Sequence, residues 1–71
     1  MVNTALLQEK MKNNGFTIKE LANRIGLSQT GLFNKIHNKR EFKGSEINSM
    51  SIALRLTKAD VNRIFFARDV E

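Results

Sequence analysis

A chain of 71 residues has room for one domain, and so short a chain buries only about 60% of the surface it exposes when unfolded, so each apolar residue matters to the core. With no cysteine it excludes disulfides, zinc–thiolate sites and a cysteine nucleophile, and with apolar runs of only three or four residues, such as Ala5–Leu7, it offers neither a membrane span nor a signal-peptide core. The net charge of +5, the absence of proline and the 41% apolar content point to a small helical protein of the cytoplasm rather than a disordered or turn-rich β chain.

Start and stop signals predict five helices in a single domain spanning residues 1–71, with no repeat or linker. The first runs from about Thr4 to Asn14, capped by Asn3 or Thr4, with Leu7 and Met11 on one face and Gly15 ending it. The second opens on a capping box, Thr17 with Glu20, and Phe16 is spaced to staple onto Leu21. Its inner face is Leu21, Ala22 and Ile25, and Gly26 stops it. Ser28 is placed to cap a third helix that reaches about His37, with Leu32 and Ile36 inward and Asn38 as a left-handed terminator. A basic connector, Lys39 to Lys43, leads to closing helices at about 45–56 and 57–68, the latter opened by Thr57 and Asp60. The adjacent Phe65 and Phe66 point about 100° apart on a helix, so one of them is expected at a boundary or exposed.

All of the excess charge lies early. Residues 1–43 carry eight Lys or Arg against Glu9, Glu20 and Glu41, whereas residues 44–71 carry four of each sign. One half is suited to a polyanion and the other is neutral.

The second and third helices, over about residues 17–37, carry the spacing of a helix-turn-helix. Ala22 is the small residue where the two helices touch, Gly26 accepts positive φ in the turn, and Leu21, Ile25, Leu27, Leu32 and Ile36 anchor both helices. The stretch Thr17-Ile18-Lys19-Glu20-Leu21-Ala22 through Gly26-Leu27-Ser28-Gln29-Thr30-Gly31-Leu32 resembles the Cro/repressor family of temperate-phage regulators, over roughly residues 4–56. The resemblance implies a compact five-helix bundle of the lambda-repressor-like class and a role in a phage lysis–lysogeny switch. It also implies that the start of the third helix faces the major groove. By position, Gln29 would read a base edge, with adenine its natural partner, Thr30 a thymine methyl or phosphate, and Asn34 the next base. Ser28 would bond a phosphate, and Lys39, Arg40 and Lys43 would neutralise backbone charge. The implied partners are operator DNA and a phage repressor, with a homodimer suited to paired half-sites.

Three positions depart from the family pattern. Ile18 stands where a polar phosphate contact is usual, and Phe33 falls outside the Leu32/Ile36 stripe and is expected to face outward. Lys35 takes a usually apolar position, with its stem expected along the core edge and its ammonium in water. An exposed Ile18 and Phe33 flanking Gln29 form an apolar patch, which raises an alternative: this face meets a partner protein, as in phage modulators that act together with the repressor. Gly31 inside a helix costs about 1 kcal/mol relative to alanine and suggests close approach of another backbone. The chain is not expected to be an enzyme or to hold a cofactor. It has no nucleophile–base pair and no phosphate-cradling glycine loop, and His37 stands alone without a second metal-ligand type beside it.

Overall fold

The computed structural model describes residues 1–66, and among them the chain is all helical and carries no strand. Five helices follow in order: α1 Thr4–Asn13, α2 Ile18–Ile25, α3 Gln29–Ile36, α4 Gly44–Ala53 and α5 Lys58–Phe65. Together they form the small five-helix bundle that the sequence predicts.

Side-chain chemistry starts the helices. Asn3 caps α1 by accepting the Leu6 N–H at 3.1 Å, and Thr17 and Glu20 exchange both bonds of a capping box at 3.1 and 3.0 Å. Ser28 caps α3 through the Gly31 N–H at 2.9 Å, and Thr57 with Asp60 repeats the box at α5. Each such cap satisfies a backbone donor that the helix itself leaves unpaired.

The helix ends share a second device. At Gly15-Phe16-Thr17, Gly26-Leu27-Ser28 and Arg55-Leu56-Thr57, a residue at positive φ is followed by an apolar residue and then a hydroxyl cap. The apolar residue's N–H closes back five residues in each case, Phe16 to Met11, Leu27 to Ala22 and Leu56 to Ser51, all at 2.9 Å. Its side chain meanwhile packs against the core.

Two boundaries differ from those the sequence predicts. The fourth helix begins at Gly44 and ends at Ala53, three residues short of the expected Leu56, because Arg55 turns left-handed at φ 54°. The fifth ends at Phe65, and the residues expected to extend it, 67 and 68, lie outside the described residues. Of the aromatic pair, Phe65 is buried and Phe66 is exposed, as their angular separation requires.

The core is Leu7, Met11, Leu21, Ala22, Leu32, Ile36, Met50, Leu54, Ile64 and Phe65, drawn from every helix and from the α4 C-cap. Helix α2 packs on α3 and α4, and α5 lies against α1 and α4. The N-terminal segment ties the ends of the bundle together. Asn3 N–H donates to the Ile64 carbonyl at 2.7 Å, and Thr4 Oγ1 donates to the Ile36 carbonyl at 2.6 Å. The Asn38 amide, at positive φ as expected, accepts from Val2 N–H at 2.7 Å and donates to the Val2 carbonyl at 3.0 Å. The last turn of α3 is thereby held from outside its own sequence neighbourhood.

Candidate interface on α2 and α3

Helices α2 and α3 are eight residues each, joined through Gly26, Leu27 and Ser28. Gly26 sits at φ 80°, a conformation in which a β-carbon would clash with the following carbonyl. Leu32, Lys35 and Ile36 turn inward, which leaves the opposite face of α3 free. On that face Gln29, Phe33 and His37 follow one another at four-residue intervals and form a ridge along the helix, with Thr30 and Asn34 on the ridge beside it. Gln29 and Thr30 are exposed, while Asn34 and His37 are half-buried.

The far end of the ridge is aromatic and cationic. Phe33 is 42% exposed, its ring centroid lies 4.2 Å from that of His37, and the Lys39 ammonium stands 5.8 Å from the Phe33 centroid. Lys39 is aimed there by the backbone, since the Asn34 carbonyl accepts the N–H groups of both Lys39 and Arg40, at 2.8 and 3.3 Å. The near end of the ridge borders an open groove between α2 and α3, of about 710 Å³, lined by Gln29 with Lys19, Asn23 and Leu27. Lys19 and Asn23 are exposed one helical turn apart on α2. They join the candidate surface although the motif logic does not single them out. The available signal is their four-residue spacing on the face of α2 opposite Leu21.

Ser28 is already engaged as an acceptor from Gly31, yet its hydroxyl proton remains free to donate to an anion. Thr17 has no proton left to donate, because its hydroxyl, which accepts from Glu20 N–H, donates to Glu20 Oε1 at 3.1 Å. The same residue, first through its N–H and then through its hydroxyl, holds the Glu20 carboxyl below the usual glutamate range. Lys43 stands apart from the ridge as the N-cap residue of α4, and Arg40 lines a different groove, with Phe42 and Phe65.

Two expectations are corrected. Ile18 is half-buried and packed against the core rather than lying free beside Gln29, because the first turn of α2 rolls its side chain inward. The apolar part of the surface is thus Phe33 without Ile18. Lys35 is 9% exposed, and its ammonium is withdrawn from water into an ion pair with Glu46 of α4 at 2.5 Å. Burial pushes the Glu46 carboxyl up, but bonds from the Lys35 ammonium and the Lys43 N–H outweigh it, and the group titrates below its ordinary range. A β-carbon at Gly31 would stand 2.9 Å from Ser28 Oγ, the atom that caps α3.

Among the described residues Lys10 and Arg63 share Asp60, at 3.6 and 3.7 Å, and Lys35 is taken by Glu46. The cations nearest the ridge and its groove, Lys19 and Lys39, hold no ion pair among those residues, and the Glu20 carboxylate lines the same groove as Lys19. No helix among the described residues is long and apolar enough to cross a membrane. No protein-family model matches the chain, and no curated protein matches it.

Proposed function

We propose that this protein is a transcriptional regulator of a phage lysis–lysogeny switch that acts through α2 and α3, contacting operator DNA, the partner phage repressor, or both. The observation that carries the reading is the exposed ridge of α3. A tight left-handed turn delivers a short helix whose first residues, Gln29 and Thr30, are exposed and whose flanks hold Lys19 and Lys39, neither of them in an ion pair among the described residues. An amide at that position can bond adenine in two places, and lysines around it neutralise phosphates. The resemblance of residues 17–32 to Cro/repressor regulators supports the same role.

A second reading of the contact is favoured by one residue. Phe33 keeps 42% of its surface exposed while His37 and Lys39 brace it, the disposition of an anchor for a protein partner. In that form the protein acts as an anti-repressor, using the same face of α3 to bind the repressor's DNA-binding domain, with little DNA affinity of its own.

The deciding experiment titrates the purified protein into operator DNA, alone and with the cognate repressor. Direct reading gives tight binding alone that weakens steeply with salt and is lost in Gln29→Ala. The anti-repressor form gives no binding alone, an altered repressor footprint, and a complex weakened by roughly 2 kcal/mol or more in Phe33→Ala. Absence of both DNA and repressor binding removes the proposal altogether.

A further inference from the structure

Of the chain's asparagines, only Asn14 precedes a glycine. That pairing is chemically the weakest point of the backbone, because Gly15 has no β-carbon to obstruct attack of its nitrogen on the Asn14 side-chain carbonyl. In the fold the pair ends α1 and is held closed. The Asn14 amide donates to the Lys10 carbonyl of its own helix at 2.8 Å and to the carbonyl of Leu54, the C-cap residue of α4, at 3.2 Å. The Gly15 N–H, whose nitrogen would be the nucleophile, donates to the Lys12 carbonyl at 3.0 Å, and the Phe16 N–H closes on Met11 at 2.9 Å. Asn14 also has ψ 7°, which turns Gly15 N away from the side chain. Closing a five-membered ring needs that nitrogen eclipsed with Cβ, roughly a third of a turn away about the Cα–C bond.

We propose that Asn14–Gly15 is a deamidation site gated by the fold: it reacts when the end of α1 parts from the α4 C-cap, and its product hinders that junction from reforming. The reaction takes only water and a base from the solvent. Gly15 N gives its proton to the base and bonds to Asn14 Cγ, the Cγ–Nδ2 bond breaks, and the nitrogen leaves with the electron pair, taking a proton to depart as ammonia. Water then opens the cyclic imide. Cleavage of the new Cγ–N bond leaves aspartate in an unaltered main chain, whereas cleavage of the original carbonyl–nitrogen bond leaves isoaspartate, with the main chain running through Cγ. Either product replaces a double donor by a carboxylate, which can only accept. That anion faces the Lys10 and Leu54 carbonyls, which repel it, at the negative end of the α1 dipole. The carbonyl of Leu54, a residue only 1% exposed, loses this donor. Isoaspartate also lengthens the main chain inside the turn that returns the Phe16 N–H to Met11. A passing opening is thereby converted into a lasting one, at the entry to α2.

The test follows the full chain by mass spectrometry in mildly alkaline buffer, with and without denaturing urea. In urea the exchange of amide for acid should appear first at Asn14, and Gly15→Ala should slow it about tenfold by placing a β-carbon beside the nucleophile. Without urea the wild type should react more slowly by about tenfold or more, since the rate follows the fraction of chains that are locally open. Asn14→Asp, which is one of the two products, should raise hydrogen exchange at the Gly15 and Phe16 amides about tenfold. Asn13→Asp puts the same charge on the exposed neighbour and should change that exchange far less. Equal rates with and without urea, earlier reaction at another asparagine in urea, or Gly15 and Phe16 amides as well protected in Asn14→Asp as in the wild type would each overturn the proposal. The comparison of rates uses the wild-type chain alone, so a folding defect in a variant cannot imitate it. None of these readouts uses DNA or a repressor, so they stand or fall separately from the role proposed for α3.

Discussion

The junctions α2–α3 and α4–α5 solve one problem in the same way, yet with different residues. Both end a helix by turning one residue left-handed, return the next apolar N–H five residues back at 2.9 Å, and open the following helix on a hydroxyl cap. At the first the left-handed residue is Gly26, at φ 80°; at the second it is Arg55, at φ 54°. Glycine adopts that conformation freely, whereas for arginine it costs roughly 1–2 kcal/mol. The second junction holds its shape because Leu54, which is fully buried, and Leu56, packed against the core, fasten the chain on either side of Arg55. Local chemistry makes the first turn; packing imposes the second.

Replacing the residue that makes the first turn should have the largest effect. Gly26→Val places a branched side chain in the left-handed region and should lower stability by about 2 kcal/mol in chemical denaturation. It should also displace α3 and so weaken whatever the Gln29–Phe33 ridge binds. The hydroxyl caps come next. Ser28→Ala and Thr57→Ala should each cost about 1 kcal/mol, and near-equal values would show the two caps to be equivalent. Arg55→Gly runs the other way, since relief of the left-handed strain exceeds the entropy that glycine adds to the unfolded chain. A stabilisation of about 0.5 kcal/mol is expected, and a loss of stability would mean that the Arg55 side chain contributes more than its backbone strain costs.

The mildest difference is in pH. The capping carboxyls Glu20 and Asp60 are held below their ordinary values of 4.5 and 3.8, chiefly by the backbone N–H of Thr17 and of Thr57. A carboxyl depressed in the folded state contributes fully above its ordinary value, and that contribution is lost as pH falls through the depressed one. Helix α3 has no acidic residue in its first turn. Amide exchange should therefore show the first turn of α2 loosening below about pH 4.5 and that of α5 below about pH 3.8 while the Ser28 cap stays protected, and uniform loosening of all three would contradict the assignment.

The same contrast marks what was legible in the chain. The Thr17–Glu20 and Thr57–Asp60 boxes, the Ser28 cap, the Gly26 turn and the Asn38 terminator were all readable because each acts over three or four residues, and the structure has them as read. Arg55 was not, and the fourth helix was accordingly expected three residues too long. Within the candidate surface, the exposure of Phe33 followed from its position off the Leu32/Ile36 stripe. The inward roll of Ile18 did not, because its first-turn position is compatible with either face until the core is assembled.

Five helices, the capped first turns of α1, α2, α3 and α5, and the placing of excess charge in residues 1–43 were thus determined by sequence alone, since propensity, caps and charge are properties of neighbours along the chain. Tertiary structure decided which groups meet at a distance. It joined Lys35 to Glu46 and the Asn38 amide to Val2, and it set Arg40 and Glu41 around a groove floored by Phe42 and Phe65. The two bonded pairs lie 11 and 36 positions apart, and no periodicity selects one such pair over another. Their contact exists only once the bundle has brought helix ends together.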